Sequence, residues 1–264
     1  NGASLANGGC NNPVDLDGIK QLSGGDTHAL GLATDGRVWS WGGDWGTGQL
    51  GQGTGGQYKA CAGLVVDVNG NYNTVDATNK ALGEGVDGAA VYIAAGQAVS
   101  AVVLASGKVV TFGANGLFEG GTLATQSGSI TCGGRLSSGA LGLGPGTGSC
   151  NETTCQSNTA IPQDENTVLK SFEYPKYVLT SAGTPLTGMT QVSDGDAWFY
   201  AIGAAGNAYT WGWNRRGELG LGTAAVPNNY TDKCYAVPFN LPSTCSFSNP
   251  CPPQPVSYTH LRAH

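Results

Sequence analysis

Oxygen-bearing side chains alternate along one short segment, which is the clearest candidate for a site that binds an ion. The segment runs Asp67-Val68-Asn69-Gly70-Asn71-Tyr72-Asn73, so oxygen ligands fall at Asp67, Asn69, Asn71 and Asn73. Carboxylate and amide oxygens with this spacing can converge on Ca²⁺. However, the acidic ligand expected at the twelfth position of a calcium loop is Thr78, and Asn69-Gly70 also suits an ordinary hairpin turn. We therefore keep both interpretations of this segment and expect no other metal or cofactor.

Two further patterns favour structure over catalysis. His28 is the only histidine before the last few residues, and a triad would need a nucleophile and an orienting carboxylate beside it. No such motif stands out, so we expect His28 to be a hydrogen-bonded residue of the fold. The spacing Gly-x-Gly-x-x-Gly occurs at Gly46–Gly51, but no helix pattern follows to receive a phosphate. The sequence thus predicts no catalytic residue and no enzyme.

Cysteines and glycosylation acceptors indicate an oxidising compartment. The chain has an even number of cysteines and no Cys-x-x-Cys pair, which favours disulfides over zinc. Cys150 and Cys155 form the best local pair, because a small loop separates them. Asn151 and Asn229 begin Asn-x-Thr acceptors for glycan. We expect an extracellular or cell-surface protein whose disulfides involve Cys10, Cys61, Cys132, Cys150, Cys155, Cys234, Cys245 and Cys251.

The segment Leu22–Gly53 indicates the element on which the rest of the chain is based. Asp35-Gly36 separates two apolar-rich runs and predicts a hairpin with a two-residue primed turn. Val38-Trp39-Ser40-Trp41 supplies β-branched and aromatic residues for the returning strand. A glycine-rich ending, Gly48-Gln49-Leu50-Gly51-Gln52-Gly53, then leaves the sheet. One such small sheet cannot be stable by itself.

The unit occurs three times at fixed internal spacing. Gly25 and Gly36 of the first copy correspond to Gly96 and Gly107 of the second and to Gly195 and Gly206 of the third. The aromatic-glycine pairs Trp41-Gly42, Phe112-Gly113 and Trp211-Gly212 fall in the same register. The endings recur as Gly139–Gly144 and Gly217–Gly222.

At these residues the chain resembles the regulator-of-chromosome-condensation repeat family, whose repeats build a seven-bladed β-propeller. Only the first copy has the family's histidine, His28; Val99 and Trp198 take its place in the others. The resemblance implies an all-β fold of propeller blades, incomplete or open at this repeat number, with disulfide-bearing loop insertions. It says little about function, because propellers support many unrelated activities.

Composition limits the partners. The 264 residues include 44 glycines and only 11% charged residues, which suits turn-rich β structure. The net charge is −6 and the one basic pair is Arg215-Arg216, so we expect no nucleic-acid partner and not the family's chromatin role. No apolar run is long enough to span a bilayer.

We expect one β-propeller-like domain over residues 1–255, with clear repeats at 19–53, 91–144 and 189–222. Residues 256–264 resemble a translated sequencing adapter, so we interpret them as a non-native tail. The chain then represents a fragment or a mature piece of a longer protein. Leu64-Val65-Val66 predicts an outer strand, and Tyr235-Ala236-Val237-Pro238 predicts the start of a further blade.

Tryptophans add one more candidate surface. Trp45 and Trp213 lie just beyond the Trp-Gly pairs and offer possible stacking faces for glycans. Our preferred function is a non-enzymatic extracellular structural or scaffolding module, a subunit of a surface assembly or filament. It would contact copies of itself or other extracellular proteins. The alternatives are a secreted binding or inhibitor protein that uses loops on one propeller face, and an enzyme on a propeller scaffold.

Overall fold

The fold consists of three similar four-stranded sheets. A computed structural model describes residues 16–44, 47–53, 58–68, 81–114, 139–142, 171–214, 217–221 and 233–239. Within these ranges the chain forms twelve strands and no helix, as the all-β prediction requires. No helix in the described ranges could therefore cross a membrane.

Each sheet is a blade whose strands follow the chain order and pair antiparallel. The first blade contains β1 (Ile19–Gly24), β2 (His28–Ala33), β3 (Val38–Gly42) and β4 (Lys59–Leu64). The second contains β5 (Ala90–Ala95), β6 (Val99–Leu104), β7 (Val109–Ala114) and β8 (Ser171–Tyr177). The third contains β9 (Met189–Asp194), β10 (Trp198–Gly203), β11 (Ala208–Gly212) and β12 (Lys233–Pro238). This arrangement confirms the prediction of propeller blades, and no closed ring is formed by the described residues.

The hairpin at Asp35-Gly36 exists, but the predicted two-residue turn is wrong. The Gly36 amide donates to Ala33 O (2.9 Å), and the Ala33 amide donates to Arg37 O (2.9 Å). Thr34 and Asp35 thus form the centre of a tight turn, and Gly36 follows at a φ of 87° as a bulge. The Asp35 carboxylate accepts the Arg37 amide (3.0 Å), which favours this longer loop. The same two backbone bonds recur at Gly107 and Gly206.

Two strand predictions also need correction. The outer strand β4 ends at Leu64, and Val65 begins the connection to the next blade. Residues 235–238 belong to β12, the outer strand of the third blade, and do not start a fourth. Both errors concern fourth strands, whose pairing with β3 or β11 no local pattern reveals, because long insertions precede them.

Successive blades pack face to face, with the first strand of one blade against the first two strands of the blade before it. Two apolar cores result, one at each junction. The core between the first and second blades contains Leu30, Leu32, Val38, Val65, Val68, Leu82, Ala90, Ile93, Val102, Leu104, Val110 and Phe112. The core between the second and third includes Val99, Val103, Val109, Leu141, Val178, Leu186, Met189, Val192, Phe199 and Trp211. The hydrophobic effect thus joins blades, since each sheet has a face that only a neighbour can cover.

Candidate functional site

Both junctions use the same aromatic contact. The aromatic residue before the glycine of one blade lies over the closing-turn glycine of the preceding blade. A Cβ on Gly51 would lie 2.7 Å from Phe112 Cδ2, and a Cβ on Gly142 would lie 3.1 Å from Trp211 Cδ1. Trp211 Nε1 also donates to Ala140 O (3.1 Å). The motif Gly-x-Leu-Gly is therefore a seat for the next blade's aromatic ring, because only glycine leaves room for it.

Backbone hydrogen bonds repeat across the junctions as well. The first residue of each new blade donates its amide to the hairpin glycine of the blade before it: Ala90 to Gly36 O (2.9 Å) and Met189 to Gly107 O (3.0 Å). At the first junction Gln21 forms an amide pair with the Ile93 backbone, donating at 2.9 Å and accepting at 3.1 Å. These bonds fix the register of neighbouring blades.

His28 lies in the first junction, as a hydrogen-bonded fold residue. Its Nε2 contacts Ser100 Oγ (2.8 Å), and Ser100 Oγ donates to Gln49 O (2.9 Å). Burial lowers the His28 pKa to about 4, so the ring is neutral at physiological pH. Its Nδ1 has no hydrogen-bond partner. The ring therefore lacks the carboxylate on Nδ1 that would orient a catalytic histidine and stabilise its protonated form.

Asp194 is the corresponding ionisable group of the second junction. Burial raises its pKa to about 8, and the nearby Asp196 acts in the same direction, whereas the Gly195 amide opposes it. Its Oδ2 is buried, has no partner and faces the backbone of Gly96. The pKa of Asp196 is raised by burial and then by Asp26. Protonated Asp194 is thus the form that the folded state accommodates at neutral pH.

A third polar contact joins the segment that precedes the second blade to the second blade itself. Asp87 forms an ion pair with Lys108 (2.7 Å) and accepts the Tyr177 hydroxyl. Burial favours a higher Asp87 pKa, but the bonds from Lys108 and Tyr177 outweigh it and the pKa is lowered. Lys108 Nζ also lies 5.0 Å from the Tyr177 ring centre. The contacts of this group are made among Asp87, Lys108 and Tyr177.

On the first blade, the face that points away from the second blade has an exposed apolar position. Leu22, Ile93 and Val192 occupy the same place on the first strands of the three blades. Ile93 is 1% exposed and Val192 is 3% exposed, whereas Leu22 is 67% exposed. Trp41 is half-buried, although its equivalents Phe112 and Trp211 are fully buried. This face, which we call the leading face, is an apolar blade surface with no blade packed on it among the described residues.

On the third blade, the face that points away from the second blade is also exposed, and we call it the trailing face. Ile202 is 48% exposed, and its equivalents Leu32 and Val103 are fully buried. Gly206, the hairpin glycine, has nothing within 4 Å of an added Cβ, whereas Gly36 touches Ala89 and Gly107 touches Gly188. Trp198 and Tyr200 are half-buried beside Ile202. The middle blade is the one whose two faces are both covered.

The structure describes only some of the residues that the sequence predicts as sites. Asp67 accepts the Val68 amide (2.8 Å) and lies against Gly85, but Asn69, Asn71 and Asn73 fall outside the described residues, so the calcium candidate stays a prediction. No group of three metal-ligating side chains occurs in the ranges described. Trp213 is half-buried against the second core, and Trp45 lies outside the description.

Among the predicted modification sites, Cys61 is the one whose side chain lies in the described residues. Cys61 lies on β4 and is disulfide-bonded. Cys234 lies on β12, where only the backbone is described. The remaining cysteines, Asn151, Asn229 and the tail at 256–264 lie outside the described residues.

Sequence reasoning missed the two end faces as sets of residues. The signal was present, because the fixed spacing of the copies assigns Leu22 to the position of Ile93 and Ile202 to the position of Leu32. The sequence alone did not show which side of each blade packs against the next blade. The structure supplies it through the two junction cores.

Comparison with known proteins agrees with this architecture. Two family profiles, each described as Regulator of chromosome condensation (RCC1) repeat, match residues 19–52 and 205–251. No curated protein matches the chain by sequence. The crystal structure of Prp20p from Saccharomyces cerevisiae, described with its binding to Gsp1p and histones, is similar at 17% identity with a TM-score of 0.50. The match covers 86% of this chain and 39% of Prp20p, so the chain spans well under half of that protein.

Two other solved structures resemble the chain more loosely. Human WBSCR16 matches at 18% identity and a TM-score of 0.38, over 88% of this chain and 56% of that one. A chain from the structure of Kap60 bound to yeast RCC1 (Prp20) matches at 14% and 0.35, over 85% and 49%. At 17% identity, the similarity to Prp20p shows the fold alone.

Proposed function

Because this chain is built from repeats of the regulator-of-chromosome-condensation type, we propose that it is a non-enzymatic scaffold that binds protein. Its copies join head to tail in an extracellular structural assembly. The leading face of one copy packs on the trailing face of the next. The Ser100 hydroxyl that contacts His28 is buried and donates to Gln49 O, and His28 Nδ1 has no orienting carboxylate, which is why we favour a binding role.

The observation that carries this proposal is the exposure of matched apolar positions at the two ends. Leu22 and Ile202 are exposed where their equivalents in the other blades are buried. The two faces are the sides that pack against each other in the two described junctions. A contact between unlike faces is heterologous, and it gives a filament when the rotation does not close.

Charge and cysteine usage support an extracellular protein partner. The net charge of −6 does not suit a phosphate backbone. The disulfide at Cys61 suits an oxidising compartment, as do the acceptors at Asn151 and Asn229. Prp20p provides a precedent for protein partners on this fold, since its structure was described with binding to Gsp1p and histones.

Charge substitutions on each end face test the assembly. We expect Ile202→Asp and Leu22→Asp each to lower the sedimentation-velocity mass of the purified protein toward that of the monomer, because a carboxylate would be buried in the contact. Each variant keeps one intact face, so an equimolar mixture of the two should form dimers and stop there. Val86→Asp is the matched control, because Val86 is exposed but lies on neither face.

Two results would contradict the proposal. One is a wild-type chain that stays monomeric with both faces intact. The other is a Val86→Asp variant that lowers the mass as much as Ile202→Asp does.

A further inference from the structure

The third blade carries a carboxyl group at a position where the other two blades have none. Asp194 ends β9, and the same position is Gly24 on β1 and Ala95 on β5. The blade itself therefore does not require an acid here. The Asp194 side chain lies against the second blade, where a Cβ added to Gly96 would overlap the carboxyl group. Gly96 has no positive φ, so the space it leaves is what the carboxyl group uses.

The two oxygens of this carboxyl group have different surroundings. Oδ1 of Asp194 accepts the Asp196 amide (3.2 Å), whereas Oδ2 is buried and has no hydrogen-bond partner. A buried carboxylate oxygen without a donor or a cation is unfavourable, and a protonated carboxyl group avoids that penalty. The position against Gly96 thus suits the neutral acid and opposes the ionised one.

The charged groups near Asp194 are acids as well. Three turns meet at this end of the blades, because Asp26 N donates to Gly96 O (3.2 Å) and Gln97 N donates to Asp196 O (3.3 Å). After burial, Asp196 is the group that raises the pKa of Asp194, and Asp26 has the same effect on the pKa of Asp196. No lysine or arginine of the described residues offsets these charges at Asp194.

The other titratable groups of the neighbouring strands are neutral. The strands that pack on β9 contribute Tyr92 and Tyr200, and tyrosine is uncharged near neutral pH. His28 contacts Ser100 in the first junction, and its pKa of about 4 keeps it neutral. Ionisation of Asp194 would therefore add a negative charge to a buried position that already faces acids.

From this geometry we propose that Asp194 is a proton-operated switch at the turn end of the second junction. With its carboxyl group protonated, Asp194 lies against Gly96, and the turns of the second and third blades stay together. Once ionised, the carboxylate moves out to water, and the hydrogen bond from Gln97 N to Asp196 O breaks. The switch acts within one chain, so it does not depend on the assembly proposed above.

The direction of the response to pH follows from the two forms. The pKa of Asp194 is about 8 in the closed form, whereas an exposed aspartic acid has a pKa near 4. Between these values the closed form holds a proton that the open form has released, so opening becomes easier as the pH rises. The first junction lacks this response, because Ala95 occupies the position of Asp194 there.

The test is amide hydrogen exchange of the full chain, followed by NMR. Gln97 reports the turn end of the junction, and Met189, whose amide donates to Gly107 O (3.0 Å), is the matched control at the hairpin end. We expect the protection factor of Gln97 to fall by about tenfold from pH 6 to pH 7, because each opening releases one proton. Low urea concentrations should speed exchange at Met189 but not at Gln97, because a local opening exposes little surface.

Two variants test whether Asp194 is responsible for the response. Asp194→Asn removes the ionisable group, so Gln97 should have the same protection factor at both pH values. Gly96→Ala adds the Cβ that overlaps the carboxyl group, so Gln97 should be weakly protected at both. Asp35→Asn changes an exposed carboxyl group of the first hairpin, and it should leave the wild-type response unchanged.

Three results would overturn the switch. The first is a wild-type protection factor at Gln97 that does not change between pH 6 and pH 7. The second is a change that persists in Asp194→Asn, and the third is a urea dependence at Gln97 equal to that at Met189. If Gly96→Ala does not fold, the comparison of wild type with Asp194→Asn decides alone.

Discussion

Burial neutralises an ionisable side chain at each blade junction, with opposite consequences for pH. His28 at the first junction has a lowered pKa, so acid would force a charge into the first core. Asp194 at the second has a raised pKa, so base would force a charge into the second. In each case burial is the main cause, because water no longer solvates the charged form.

We predict that Asp194→Asn removes a loss of stability toward alkaline pH. The pKa of Asp194 is about 8 in the folded chain and near 4 when unfolded, so between these values the native state binds a proton that the unfolded state has released. The free energy of unfolding therefore falls as pH rises from about 4 to 8. Asparagine has nearly the same shape as aspartic acid but does not ionise, so the variant avoids this loss of stability. Urea titrations should show that Asp194→Asn stabilises more at pH 8 than at pH 5, by a few kcal/mol, since one pKa unit is about 1.4 kcal/mol.

The control for that prediction is Asp35→Asn, because Asp35 is exposed in the first hairpin and pairs with Arg37. It should leave the change between pH 6 and pH 8 as in wild type. An Asp194→Asn variant with the wild-type slope over that range would show that the carboxyl is already ionised in the folded state.

At the scale of elements, the sequence predicts what recurs and misses what is inserted. The hairpins, the aromatic strands and the glycine endings follow from local spacing, and all three blades have them. The fourth strands do not, because β8 pairs with β7 across more than fifty residues of sequence. The turn type was wrong because Asp35 with glycine next to it fits two loop lengths, and the backbone bonds of Ala33 decide between them. The contact between Gly51 and the Phe112 ring could not be predicted, because the sequence does not show which side chain of the next blade packs on this glycine.

Paired glycine substitutions should separate the seat from ordinary backbone strain. Gly51 and Gly206 both have positive φ, 61° and 79°, so alanine strains each backbone by roughly 1–2 kcal/mol. A Cβ on Gly51 also meets the Phe112 ring, whereas one on Gly206 meets nothing. Gly51→Ala should therefore destabilise by about 2 kcal/mol more than Gly206→Ala in chemical denaturation. Equal losses of unfolding free energy in the two variants would show that the Phe112 ring moves away from the new methyl group without an energetic cost.

At the scale of the whole molecule, two apolar cores join the three described blades. Both cores cross blade boundaries, so among the described blades the middle one contributes to two cores and each of the others to one. Cross-links between inserted loops would restrict the unfolded chain where packing is weakest. The disulfide at Cys61 lies on the outer strand of an end blade, which fits this role.

We predict that all eight cysteines are paired in the natural protein. Alkylation of the denatured, unreduced chain should add no mass, and reduction should then expose every thiol to the reagent. Reduction should also lower the free energy of unfolding by roughly 2–5 kcal/mol for each bridge lost. Free thiols at most positions would remove the compartment argument and leave Cys61 as an isolated case.

The cores that span blade boundaries also set an order of events during synthesis. On the ribosome the first blade emerges complete in its hydrogen bonds while half of its core is still untranslated, because Ile93, Val102 and Phe112 belong to the second blade. Its inner face must stay exposed until β7 has left the exit tunnel, and the second blade then waits in the same way for Trp211. Nascent blades are thus vulnerable to chaperone capture or misassociation in two successive windows. A pause in translation once β7 has left the tunnel would let the first junction close, whereas a pause before Ala90 would prolong its exposure.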